Sequence, residues 1–168
     1  RQEPEVSDIV KEALTYRYTS KAQFCAIMES LGYECKDDDE KPVVHIYRGG
    51  QEQGTTQVQL IMRHALKGNK PDDKRRRQLC AILKKYRDLS ANKEELAAAM
   101  KKKFGISLVF VGKADTPYGY IVVDHKNKTV FKGGEFLSIK ELLQFEDAAT
   151  RFTKIKQTID DLLADNPK

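Results

Sequence analysis

Apolar side chains recur at every third or fourth position in three stretches of the first half of the chain. This period predicts helices over residues 5–16, 20–31 and 56–65. Ser20 is the predicted N-cap of the second helix, because Gln23 follows three residues later as in a capping box. Gly32 comes directly after that helix and suits the left-handed conformation that ends many helices.

Two short strands are predicted between the second and third of these helices. They cover residues 33–35 and 42–47, separated by the acidic loop of residues 37–41 and ended by Gly49-Gly50. The residues that follow are polar and predict a loop. Thr56 is the predicted N-cap of the third helix.

The second half of the chain follows a similar order. Asn92 and Glu95 predict the start of a helix that ends at Gly105. Residues 106–111 are nearly all apolar and predict a strand that is either buried on both faces or central in a sheet. Residues 117–134, with the sequence PYGYIVVDHKNKTVFKGG, predict a β-hairpin whose turn is formed by residues 125–128.

Two further helices are predicted after this hairpin. Ser138 is the N-cap of the first, since Glu141 follows three residues later. The second covers residues 147–165, and its period predicts one apolar face that is buried against the rest of the protein. The residues of that face are Phe152, Ile155, Ile159 and Leu162.

These elements suggest an internal repeat of residues 20–66 and 92–145, in which Gly49-Gly50 matches Gly133-Gly134. The predicted fold is therefore one α+β domain over residues 1–168. It contains two similar helix–β-hairpin–helix units, a basic helix that joins them and a C-terminal helix. The alternative is convergence, because short units of this kind are common.

Positive charge is concentrated in one segment of the chain. The formal net charge is +5, but nine Lys or Arg and two Asp give residues 67–87 a charge of +7 and leave −2 for the remainder. Residues 68–71 break the preceding helix, and the pattern that follows predicts the joining helix over residues 72–88. Its period places four cations on the side opposite the apolar stripe, namely Lys74, Arg77, Lys84 and Lys85, with Arg76 and Arg87 along one edge. That side suits contact with DNA phosphates, and the alternative is a charged face that contacts only water. The predicted DNA-binding residues are Lys74, Arg75, Arg76, Arg77, Lys84, Lys85 and Arg87.

Composition excludes several classes of protein. No apolar run approaches the roughly 20 residues that a membrane-spanning helix needs, and the first residues contain no apolar segment of a signal peptide. The three cysteines are too few and too scattered for a disulfide framework, which predicts reduced thiols and a cytoplasmic location. No membrane partner is expected.

No catalytic or metal-binding constellation is evident in the sequence. The histidines form no HxH, HxxxH or HExxH pattern; they are His45, His64 and His125. Asp124 and His125 are adjacent and are predicted to belong to a polar turn rather than to an acid–base pair. The segment from Tyr16 to Tyr18 could supply a nucleophile for DNA cleavage, but packing at a helix end is the favoured interpretation. We therefore expect no catalytic residue, metal or cofactor.

Three segments carry a resemblance to a known family. They are PYGYIVVDHKNKTVFKGG (residues 117–134), AILKKYRDLSANKEELAAAMKKKFGISLVF (81–110) and SKAQFCAIMESLGYE (20–34) followed by IYRGG. Together they are similar to the region downstream of the nuclease domain in relaxase/mobilisation proteins of Bacteroides-type plasmids and conjugative transposons. In such proteins an N-terminal domain with a tyrosine nucleophile and a His-rich metal site cuts one DNA strand.

None of the family's nuclease motifs matches this chain, so the resemblance implies no catalytic residue here. Together with a first residue that is not Met, this suggests a C-terminal fragment. The resemblance implies an accessory role in DNA mobilisation, but it does not imply whether that role is to grip DNA, to dock a partner or to position the nuclease. DNA is the expected partner because of the cationic side of the joining helix, and other mobilisation proteins are further candidates. Two alternatives stay open: a module that docks transfer proteins without binding DNA, and an independent hydrolase or metalloenzyme that gathers the histidines with carboxylates in a cleft.

Overall fold

A computed structural model describes residues 5–66 and 72–165 of the chain. The predicted helix break at residues 68–71 and the cations Lys67 and Lys70 lie outside the described residues. The described elements, in chain order, are α1 (Val6–Leu14), α2 (Lys21–Ser30), β1 (Glu34–Asp37), β2 (Val43–Arg48), β3 (Gln51–Gln57), α3 (Val58–Leu66), α4 (Asp73–Leu89), α5 (Lys93–Phe104), β4 (Ile106–Gly112), β5 (Pro117–Asp124), β6 (Thr129–Lys132), a 3₁₀ turn (Gly133–Glu135), α6 (Ile139–Leu142) and α7 (Ala148–Asp165). The protein is thus α+β, as predicted.

The first sheet is antiparallel with the order β1-β2-β3, and β3 was not predicted. Gly49 and Gly50 adopt φ angles of +60° and +81°, so they form the tight turn of a β2–β3 hairpin rather than the end of the sheet. Thr56 pairs with Val44 inside this hairpin, and the predicted N-cap at Thr56 is wrong. The strand was not predicted because its sequence, QEQGTTQ, lacks the apolar residues by which strands are recognised. It is an edge strand that is exposed at most positions.

The second sheet is antiparallel with the order β4-β5-β6 and has side chains packed on both of its faces. Val109, Ile121 and Val123 face a core that they share with α1, α2, α3 and the first sheet. The neighbouring residues Leu108 and Val122 face a second core formed with α4, α5 and α6. The prediction that β4 is buried on both faces is confirmed, but β4 is an edge strand and β5 is the central one.

Apart from Thr56, the predicted helix caps are present. The Ser20 hydroxyl accepts a hydrogen bond from the Gln23 backbone N–H, and the Asn92 side chain accepts one from Glu95 N–H. Ser138 caps α6 in the same way, and Gly105 ends α5 with left-handed φ and ψ of 63° and 33°. These contacts involve residues that are close in sequence, which is why local patterns predict them.

The proposed equivalence of the two glycine pairs is wrong. Gly49-Gly50 joins the second and third strands of its sheet, whereas Gly133-Gly134 follows the third strand of the other sheet and begins the 3₁₀ turn. Each half of the chain contains a helix, a three-stranded antiparallel sheet and a further helix, rather than a two-stranded hairpin between helices.

The predicted final helix is present, but the prediction that its apolar face is buried against the protein is wrong. The apolar side chains of α7 are exposed, because a different side of the helix contacts the protein. Phe152 is 71% exposed and Ile159 is 51% exposed. The partly buried side chains of α7 include Arg151 and Lys154, and the Lys154 ammonium lies 3.4 Å from the Asp88 carboxylate of α4.

Candidate nucleic-acid interface

The basic helix α4 is held in a fixed orientation by its cap and by its apolar side. The Asp72 carboxylate accepts hydrogen bonds from the backbone N–H groups of Lys74 and Arg75 at 3.0 and 3.2 Å. Leu79 and Leu83 are buried in the second core, each 1% exposed. Since these leucines face the core, the opposite side of α4 faces solvent.

Four of the predicted DNA-binding cations occupy that solvent-exposed side. At 3.6 residues per turn they fall within an arc of about 100°, and a rise of 1.5 Å per residue spreads them over about 16 Å of helix. We call this set the α4 cationic face; it consists of Lys74, Arg77, Lys84 and Lys85, all exposed.

Arg75, by contrast, forms a buried ion pair with the β-hairpin of the second sheet. Its Nε donates to the Asp124 carboxylate at 2.9 Å, and the Asp124 side chain is 0% exposed. The backbone N–H and side-chain amide of Asn127 also donate to this carboxylate, at 3.3 and 2.9 Å. Arg75 therefore connects the first turn of α4 to the turn between β5 and β6.

Two other predicted DNA-binding arginines also bond to the protein. Arg76 donates from Nη1 to the Glu135 carbonyl oxygen at 3.3 Å and lies 3.5 Å from Asp73. Arg87 donates to the Glu141 carbonyl oxygen and, from Nε, to Asp88 at 3.0 Å. The structure thus divides the seven predicted residues into four on the α4 cationic face and three that anchor the helix.

A concave surface beside the first turn of α4 adds positive charge that the sequence analysis did not assign to a site. It has a volume of about 550 Å³, and Arg75, Lys103, His125 and Lys126 are among its lining residues. Lys103 and Lys126 are exposed. The run of lysines at the end of α5 was the sequence signal that could have indicated this charged surface. The signal is ambiguous, because the helix dipole favours lysines at the C-terminal end of any helix.

His125 joins three elements through hydrogen bonds of its two ring nitrogens. The Tyr16 hydroxyl lies 2.7 Å from Nδ1, and the Ser107 hydroxyl lies 2.8 Å from Nε2. The pKa of His125 is lowered, mainly by burial of the ring. The lowered pKa favours the neutral imidazole, which has one donor and one acceptor nitrogen.

The geometry around His125 does not suit a serine nucleophile. Tyr16 is buried, so its hydroxyl proton needs an acceptor, and Nδ1 is within reach. Nε2 then carries the ring proton and donates to the Ser107 hydroxyl, which leaves His125 unable to accept a proton from Ser107. Burial also raises the pKa of Tyr16, and it raises that of Tyr18 to about 12, so neither hydroxyl is activated as a nucleophile.

His45 lies on the first sheet, away from His125, between two carboxylates. Its Nε2 is 2.8 Å from Asp38 and its Nδ1 is 2.8 Å from Glu52. The hydrogen bond between His45 and Asp38 shifts both groups: it raises the pKa of His45 and lowers the pKa of Asp38. Because each carboxylate binds a different ring nitrogen, the three groups form an ion-pair cluster and do not converge on one point.

The tertiary structure brings together two cysteines that are ten positions apart in the sequence. Cys35 of β1 lies beside Cys25 of α2, and the interaction between the two thiols lowers the pKa of Cys25 and raises that of Cys35. All three cysteines are free thiols. The sequence analysis treated these cysteines as far apart, because the sequence does not show that β1 packs against α2.

Within residues 5–66 and 72–165, no cluster of three or more His, Cys, Asp or Glu is arranged to hold a metal ion. Among the described helices, none has the length and apolar character required to cross a membrane. No protein-family model, curated protein or solved structure matches the chain.

Proposed function

We propose that this chain is a non-catalytic, nucleic-acid-binding module that contacts the DNA backbone through the α4 cationic face. The observation that supports this most strongly is the segregation of charge on α4. Four exposed cations share one side of a helix that a buried Arg75–Asp124 ion pair and two leucines hold in place. A rigid row of cations can neutralise successive phosphates and release their counterions.

This surface is suited to backbone contact rather than to reading of bases. The exposed residues of α4 are Lys, Arg, Gln and Ala together with Asp73, which pairs with Arg76, so this side offers no aromatic ring on which a base could stack. The cationic lining of the adjacent concave surface, Lys103 and Lys126, extends the same charge beyond α4. We therefore expect binding that depends strongly on salt and weakly on DNA sequence.

The experiment is titration of the protein into labelled duplexes of two unrelated sequences, followed by fluorescence anisotropy at several salt concentrations. Both duplexes should bind with similar affinity, and the affinity should fall steeply as salt rises. Absence of salt-sensitive binding at low ionic strength would exclude the proposal.

The wider context that we propose is a relaxase of a DNA mobilisation system, in which this module is an accessory to the DNA-nicking domain. The support is the resemblance of the three segments described above. The test is the parent protein itself: a His-rich motif and a nucleophilic tyrosine in an upstream domain would support this context, and another type of domain would overturn it.

The second candidate function is a protein-interaction module that docks other mobilisation proteins. The exposed apolar side chains of α7 favour it, because contiguous apolar surface commonly marks an interaction site. A dimer in which a second copy of this chain covers that surface would remove this support. This candidate predicts retention of a purified transfer protein on the immobilised module, together with weak or no DNA binding.

A further inference from the structure

The helix α7 carries an apolar stripe that none of the described residues covers. Its members lie three or four positions apart, which places them on one side of the helix. Their exposed fractions run from 42% to 71%, although each is a residue type that is usually buried. We call this set the α7 stripe; it consists of Phe152, Ile155, Ile159, Leu162 and Leu163.

The contact between α7 and the rest of the protein does not use this stripe. Lys154 bonds to Glu146 and Asp88 at 3.1 and 3.4 Å, and Arg151 donates to the Glu146 carbonyl oxygen at 2.8 Å. At 3.6 residues per turn, this polar side lies about a quarter turn from the stripe. Residues 159–165 are all exposed, so the last two turns of α7 present the stripe to solvent.

The stripe has the spacing of a helix that pairs with a second helix. Phe152, Ile155, Ile159 and Leu162 are separated by three, four and three residues, as at the core positions of a coiled coil. The spacing is symmetric about residue 157. In an antiparallel pair of identical helices, Phe152 would therefore face Leu162 of the second copy, and Ile155 would face Ile159.

The charges of α7 favour the antiparallel orientation. Arg151, Lys154 and Lys156 lie in the N-terminal half, and Asp160, Asp161 and Asp165 lie in the C-terminal half. This order opposes the helix dipole and is unfavourable in an isolated helix. An antiparallel second copy places each cationic half against an anionic half, with Arg151 beside Asp165 of the other copy.

A parallel pair would place Arg151 of each copy beside Lys156 of the other, which gives two repulsive contacts. The antiparallel pair has one repulsive contact, between the two copies of Lys156, and two attractive contacts between Arg151 and Asp165. We propose that the α7 stripe is a self-association surface, and that two copies of this chain pair through antiparallel α7 helices in a symmetric dimer. In such a dimer each contact between two different residues of the paired helices occurs twice, because the two-fold axis relates the two copies.

Sedimentation equilibrium of the whole chain between about 1 and 500 µM is the first test, since the small paired surface predicts moderate affinity. Ile159→Glu should weaken the dimer by about 100-fold, because symmetry removes two apolar contacts and introduces two charges. Gln157→Glu is the matched control, since it adds the same charge on the opposite side of α7 and should leave the dimer intact. Circular dichroism should show that both variants stay folded, because both positions are exposed.

Cysteine cross-linking tests the orientation. A mixture of Phe152→Cys and Leu162→Cys chains should form a disulfide-linked heterodimer on mild oxidation, while neither variant alone should exceed the wild-type background from the native thiols. Lys156→Gln should tighten the dimer, because two copies of Lys156 approach each other near the symmetry axis. A monomer at all concentrations, equal effects of the two Glu substitutions, or cross-linking of Phe152→Cys to itself would overturn the proposal.

Discussion

Replacement of Lys74, Arg77, Lys84 and Lys85 by Gln should remove most of the salt dependence of DNA binding. All four side chains are exposed, so the substitutions change charge without disturbing the core. Each phosphate neutralised in duplex DNA contributes about −0.9 to the slope of log affinity against log salt, so four contacts contribute about −3.6. Between 50 and 200 mM salt, this slope corresponds to a loss of affinity of about 150-fold for the wild-type face.

The assay is fluorescence anisotropy of a labelled duplex of about 20 base pairs, which is longer than the span of the α4 cationic face. The slope is measured for the wild-type protein, for the fourfold variant and for a variant that replaces only Lys84 and Lys85. The partial variant should lose about half of the slope that the fourfold variant loses, because it removes two of the four contacts.

A matched control carries the same change in net charge at four exposed lysines outside α4. The control substitutions are Lys11→Gln, Lys36→Gln, Lys41→Gln and Lys113→Gln. The control should retain nearly the wild-type slope if the α4 cationic face binds the phosphates. Equal slopes for the control and the fourfold variant would refute the assignment, since binding would then depend only on overall charge.

Two further predictions concern the contacts that hold the fold together. Arg75→Gln should lower the free energy of unfolding by about 2 to 4 kcal/mol, because it leaves the carboxylate of Asp124 buried without its cation. The double variant with Asp124→Asn should recover much of this loss in urea unfolding, and an equal or larger loss would contradict a buried ion pair. The ion pair of His45 with Asp38 should make stability depend on pH. The His45 pKa is raised in the folded protein, so its contribution is complete below the unfolded value of about 6.5 and is lost as pH rises through the folded value. The urea midpoints of wild type and His45→Gln should therefore differ more at low pH than at high pH, and a constant difference would argue against the pair.

In the candidate site, the local sequence pattern predicted which residues of α4 are exposed but not which of them bond to distant parts of the chain. The helical period of α4 was sufficient to place Lys74, Arg77, Lys84 and Lys85 on one exposed side, because that side is opposite Leu79 and Leu83. The same period could not show that Arg75 meets Asp124, which is 49 positions away in the sequence. That contact depends on how the β5–β6 hairpin packs against α4.

The missed strand and the misjudged helix have a related cause. The sequence QEQGTTQ gives no apolar signal for β3, which pairs with β2 through backbone hydrogen bonds at the edge of its sheet. In α7, the apolar period correctly indicated an amphipathic helix, but it also implied that the apolar side faces the protein. An amphipathic pattern indicates which side of a helix is apolar, but it does not indicate whether the same chain packs against that side.

The sequence by itself determined the α+β class, the helix caps other than Thr56, the β5–β6 hairpin and the position of the cationic face. These features depend on residues within a few positions of one another, where backbone preference and periodicity act. Only the tertiary structure decided that β4 is an edge strand, that three arginines of α4 bond to the protein, and that the α7 stripe is exposed. Each of these outcomes depends on which distant elements pack together, and packing between elements distant in sequence leaves little trace in the local pattern of either one.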